Sequence, residues 1–141
     1  MKQYFRYLDW DHQLDNDSRK YMKFYEDAQS TVEVTTSVGP YKNNYAKMLL
    51  EKNSVYYWEV KIIKGTYFKI GIIKHTTLLD GFKGNAFSDC LDGYAYYSPG
   101  KLRNGSNSTG IDFDNGYGPG DIVKVCFNSK EGNLYFGKND E

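Results

Sequence analysis

The chain has 141 residues, 40% hydrophobic and 26% charged, the length and balance of one globular domain. Lys plus Arg (18) equals Asp plus Glu (18), so the basic footprint that a phosphate backbone or an anionic membrane demands is missing, and neither nucleic acid nor membrane is an expected partner. No apolar run is long enough to span a bilayer and the N-terminus carries no leader pattern, which puts the expected location inside the cell, in the cytoplasm.

In chain order, residues 9–21 are polar and have a helical option. Residues 31–36 read as a strand with Val32 and Val34 inward, and residues 46–50 as a short strand or a helical turn. Residues 55–63 (VYYWEVKII) alternate, with Tyr56, Trp58, Val60 and Ile62 on an apolar face and Glu59 and Lys61 on the other. After Lys64 and Gly65, residues 67–73 repeat the pattern with Phe68, Ile70 and Ile72, so the two segments are expected to pair as an antiparallel hairpin. Residues 93–97 (GYAYY) form a further short strand. Residues 122–127 turn Val123, Val125 and Phe127 inward, and the turn at 129–132 leads into residues 133–137, with Leu134 and Phe136 on one face, as a second hairpin. Many period-two strands with glycine turns and almost no helical periodicity make an all-β antiparallel sandwich or barrel. No linker, repeat or low-complexity stretch divides it, so residues 1–141 are expected as a single domain.

The strand Tyr56-Tyr57-Trp58-Glu59-Val60 resembles the YWEV strand of the SPRY, or B30.2, domain. Downstream order agrees: Phe68-Lys69-Ile70-Gly71-Ile72 is similar to the family's next strand, and Gly93-Tyr94-Ala95-Tyr96 with Gly100 to Gly105 to its G-W-G-Y…G…x-N-G segment. Tyr117-Gly118-Pro119-Gly120-Asp121-Ile122-Val123 and Gly132-Asn133-Leu134-Tyr135-Phe136 are similar to its last two motifs. Asn139-Asp140 stands where the family writes Asn-Gly, and Asp140 in the glycine's place also tolerates left-handed backbone. The resemblance implies a two-sheet, concanavalin-like jelly-roll sandwich with a variable N-terminal segment (1–29) and a core (30–141). Because family members continue past the point corresponding to Glu141, it also implies either that the last strands are lacking here or that something else covers that edge.

Catalytic readings are weak. His12 and His75 lie beside no nucleophile signature, and Asp112/Asp114 and Asp89/Asp92 sit in stretches where acidic residues cap turns, so neither makes a convincing carboxylate pair. The spacing at residues 112–123 fails the calcium-loop pattern, and the glycine clusters lack a phosphate-loop context. Cys90 and Cys126 have no metal or redox spacing and are expected as free thiols. No enzyme activity, cofactor or metal is therefore expected.

A binding surface remains, carried by loops on a rigid sandwich. Residues 38–45 offer Pro40, Tyr41 and Lys42. The long connection at 75–89 offers Leu79 and Phe82, and residues 97–109, read as a loop, add Tyr97, Lys101 and Arg103. The resemblance implies a protein or short-peptide partner, bound by loops at one end of the sandwich that include those before the YWEV strand and after the Gly-Ile strand, in a domain that selects targets for a larger protein such as a ubiquitin ligase. A lectin-like sandwich stacking sugars on tyrosine is the alternative.

Overall fold

The computed structural model describes residues 22–24, 32–34, 43–46, 49–80 and 86–140. The chain forms two compact units, Met1–Leu49 with Gly81–Ala86, and Leu50–Asp80 with Phe87–Glu141. In the first, β1 (Met22–Phe24) pairs antiparallel with β2 (Val32–Val34), Lys23 facing Glu33. The strand expected at residues 31–36 is thus present over Val32–Val34. The helical option at 9–21 lies outside the described residues, and of residues 46–50 only an isolated bridge at Ala46 and coil at 49–50 are described.

The second unit holds two antiparallel sheets. One has the order β3-β8-β9, from Val55–Lys61, Ile122–Asn128 and Asn133–Lys138. The other has the order β4-β5-β6-β7, from Lys69–Ile73, Gly93–Tyr97, Lys101–Asn104 and Asn107–Asp112. β3 alternates exposed and half-buried along its whole length, as period-two apolar patterning requires, and Ile62 follows it into the core. That core comprises Ile62, Tyr96, Tyr117 and Val123, with Val60, Phe68, Ile70 and Phe136 packed on it. The Tyr96 ring on β5 lies 5.8 Å from that of Phe136 on β9 and 4.7 Å from that of Tyr117, so aromatic contacts bridge the two sheets and make the sandwich.

The structure corrects three sequence expectations. β3 and β4 do not form a hairpin: β3 pairs with β8, Trp58 facing Val125, and β4 pairs with β5, Ile70 facing Tyr96. Ile62 is tied to the far loop instead, donating its N–H to Asp121 O (2.9 Å) and accepting from Gly120 N–H (2.8 Å). The chain then crosses between sheets through Gly65 (φ 106°) and Tyr67 (φ 62°). Crossing lets the apolar faces of both strands meet the same core from opposite sides. Residues 97–109 are no loop but hold β6 and the first half of β7. Their turn is pinned by Asn104, whose Nδ2 donates to Leu91 O and Gly93 O (each 2.7 Å) and whose Oδ1 accepts from Ser106 N–H and Oγ–H (3.1 and 2.7 Å). The 75–89 connection carries a short helix, α1 (His75–Asp80), and a 3-10 turn at Phe87–Asp89.

The β8–β9 hairpin is as expected, and Val123 and Val125 are fully buried. In the turn after β9 it is Asn139, rather than Asp140, that takes left-handed backbone (φ 53°), and its side chain accepts from Ile122 N–H at 3.0 Å.

Candidate functional site

Register places the sequence candidates. Lys69 faces Tyr97 and Tyr97 faces Lys101, while Ala95 faces Arg103, so Lys69, Tyr97, Lys101 and Arg103 share the face of the four-stranded sheet turned away from buried Tyr96. The Phe87–Asp89 turn packs onto that face across β4, β5 and β6. There Asp89 accepts from Arg103 Nη2 at 3.1 Å and lies 3.7 Å from Lys69 Nζ. Arg103 also donates to Asn107 Oδ1 (3.3 Å), and the Lys69 ammonium sits 5.2 Å from the centre of the Tyr97 ring. The side chains of Lys69 and Arg103 are only 8% and 10% exposed. Burial therefore lowers the Lys69 pKa and the charge of Arg103 lowers it further, while Asp89 works in the opposite direction. Arg103 is a tether between turn and sheet. Lys101 differs: its ion pair to Asp112 (2.6 Å) lies at the surface, where the Asp112 carboxylate is almost fully exposed.

Tyr97 and Lys101 mark one end of the sandwich. Beside them a cleft of about 260 Å³ opens between the crossover (Gly65, Thr66, Tyr67), the turn after β5 (Ser98, Pro99) and the loop before β8 (Tyr117, Gly118, Pro119). Tyr67, 64% exposed, presents its ring there from a backbone conformation that non-glycine residues seldom adopt. Its neighbours are fixed: Phe68 N–H donates to Ser98 Oγ (3.0 Å), and Gly118 N–H donates to an Asp121 carboxylate oxygen (2.9 Å). That bond and the Asn139 side-chain amide hold the Asp121 carboxyl below its ordinary pKa, with the Asn139 contact the larger influence.

Of the remaining candidates, Pro40, Tyr41, Lys42 and Phe82 lie outside the described residues, and Leu79 stands on α1. That helix follows Ile73, which faces Gly93, so it leaves from the end of the sheet opposite Tyr97 and Lys101. The structure thus brings Tyr97, Lys101 and Arg103 onto one face and separates Leu79 from them. Lys69, Tyr67, Pro99 and Pro119 were not among the sequence candidates. A lysine inside the otherwise apolar β4 was the one legible signal, since period two puts it on the outer face.

Among the described residues no group of three His, Cys, Asp or Glu could hold a metal ion, and no helix is long and apolar enough to cross a membrane. Cys90 and Cys126 are free.

A family model for the SPRY domain matches residues 55–141, from the first residue of β3 onward. The chain belongs to the SPRY domain family. SPRY domains are in general protein-interaction modules and typically non-catalytic. No curated protein matched the chain. The motifs that carry the SPRY signature are structural here: Gly71 lies against the Tyr94 carbonyl, Asn104 pins a turn, and Tyr117 is buried.

Proposed function

We propose that this SPRY domain is a non-catalytic target-recognition module of a larger protein, binding a peptide or protein segment through loops at one end of its sandwich. The observation that carries the reading is the cleft lined by exposed Tyr67, Pro99 and Pro119, beside the β5–β6 turn that Tyr97 and the surface ion pair of Lys101 flank. Aromatic and basic side chains on a pre-formed frame lose little freedom on binding, which favours affinity for a partner. Free thiols at Cys90 and Cys126 support a reducing, intracellular setting.

Selection of a displayed peptide library against the purified domain tests this. A consensus peptide should emerge whose affinity falls about tenfold or more in Tyr67→Ala and Lys101→Ala, with the melting temperature held. Loss of affinity in Tyr41→Ala and Phe82→Ala instead would move the surface to the loops before β3 and after β4. Failure with every peptide, together with signal on a glycan array, would favour the lectin-like alternative.

A further inference from the structure

We infer that Asn115–Gly116 is a modification site, at which the asparagine of the folded chain converts without an enzyme to aspartate and isoaspartate. The sequence holds two Asn-Gly pairs, the other being Asn104–Gly105, and the fold treats them oppositely.

The chemistry needs only water. The Gly116 backbone nitrogen gives up its proton to solvent base and attacks the side-chain carbonyl carbon of Asn115. A C–N bond forms, the Cγ–Nδ2 bond breaks, and ammonia leaves after taking a proton from water, so that a cyclic imide remains. Water then adds to one of the two imide carbonyls and breaks its bond to the Gly116 nitrogen, which takes back a proton. Opening at Cγ gives aspartate, and opening at the main-chain carbonyl gives isoaspartate. Amide and water have become carboxylic acid and ammonia, with nothing oxidised or reduced.

Three features favour the reaction at Asn115. The residue is exposed, and among the described residues neither its carboxamide nor the Gly116 N–H has a hydrogen-bond partner. Gly116 has no room for a side chain that would screen its nitrogen, since a Cβ there would come within 2.4 Å of the Ser98 carbonyl oxygen. The Tyr96 hydroxyl donates to the Asn115 carbonyl oxygen at 3.0 Å. That oxygen belongs to the same peptide group as the Gly116 nitrogen. Negative charge left on the deprotonated nitrogen spreads onto it, so the hydroxyl stabilises the attacking form.

Asn104–Gly105 is locked at both reacting groups. Its carboxamide donates from Nδ2 to Leu91 O and Gly93 O and accepts at Oδ1 from Ser106. The Gly105 N–H, the nucleophile in this pair, donates to Cys90 O at 3.1 Å. These bonds must open before attack can begin.

The product falls on the wall of the cleft. Tyr117 follows directly, its N–H donating to Ser98 O (2.9 Å), and Gly116 O accepts from Lys138 Nζ (2.8 Å). Conversion adds a carboxylate next to Asp114, and isoaspartate inserts a methylene into the main chain just before these anchors.

The test incubates the folded 141-residue chain in neutral buffer at body temperature and follows both sites by peptide mapping, with fragmentation that separates aspartate from isoaspartate. A parallel sample is held unfolded in urea. In the folded chain Asn115 should convert more than about tenfold faster than Asn104, and in urea the two rates should converge. Asn115→Gln, whose longer side chain closes the ring far more slowly, should remove the fast step and leave Asn104 as it was. Equal rates at the two sites of the folded chain, or a fast step that survives in Asn115→Gln, overturns the inference. So does a tenfold gap that persists in urea, because local sequence and not the fold would then set it.

Discussion

Tyr117 donates its hydroxyl hydrogen to the backbone carbonyl of Tyr96, 2.8 Å away in the interior, and shares it with Phe68 O at 3.1 Å. One side chain from the loop before β8 thereby holds β5 and the start of β4 together beneath the cleft. Tyr117→Phe keeps the ring contact but leaves a buried carbonyl without this donor. The cost should be about 1–2 kcal/mol in urea unfolding. An unchanged midpoint would mean that packing alone seats the ring.

A methyl at Gly71 would land on the carbonyl oxygen of Tyr94 in the neighbouring strand, so the backbones of β4 and β5 would have to part. Gly71→Ala should destabilise by roughly 3 kcal/mol or more, at the upper end of overpacking costs, and a thermal melt reads it directly. Gly118→Ala is the control, because nothing lies within 4 Å of its added carbon.

Arg103 and Lys101 are neighbours on β6 with opposite expectations. Arg103→Ala removes a largely covered guanidinium from Asp89 and should cost about 1–3 kcal/mol, loosening the Phe87–Asp89 turn. Lys101→Ala breaks an exposed pair and should leave stability unchanged. Equal losses in the two variants would contradict the division into tether and surface charge.

Partial withdrawal of the Tyr57 phenol from water, the 2.6 Å hydrogen bond it donates to Glu59 and that carboxylate's charge push its pKa from 10.0 up to about 12. A raised folded-state pKa means that the folded chain keeps the proton longer. Its contribution is therefore present below pH 10 and is lost as pH rises through about 12. Ultraviolet phenolate titration of wild type minus Tyr57→Phe should show this late group, and Glu59→Gln should move it back toward 10.0.

Period-two alternation exposed the inner faces of β3, β4, β8 and β9, because burial on one side leaves a direct trace in residue type. It reports which face is inward, not which strand is adjacent, and so the short link at Lys64 and Gly65 suggested a hairpin between strands of different sheets. β6 and β7 escaped because their residues are mostly polar, β7 largely solvent-facing, and their pairing rests on the Asn104 turn. At the candidate site Tyr97, Lys101 and Arg103 were legible as residue types but not as members of one face. The role of Asp89 depends on a turn folded back over the sheet, which no local pattern encodes.

The crossover from β3 to β4 also bears on biosynthesis. A strand made early must wait for Ile122–Asn128, near the other end of the described chain, before its ladder can form, while β4 to β7 can close by adjacent pairings as they emerge from the ribosome. During that interval the apolar VYYWEVK segment stands unpaired, and its Glu59 and Lys61 then act as gatekeepers against wrong partners on a nascent chain.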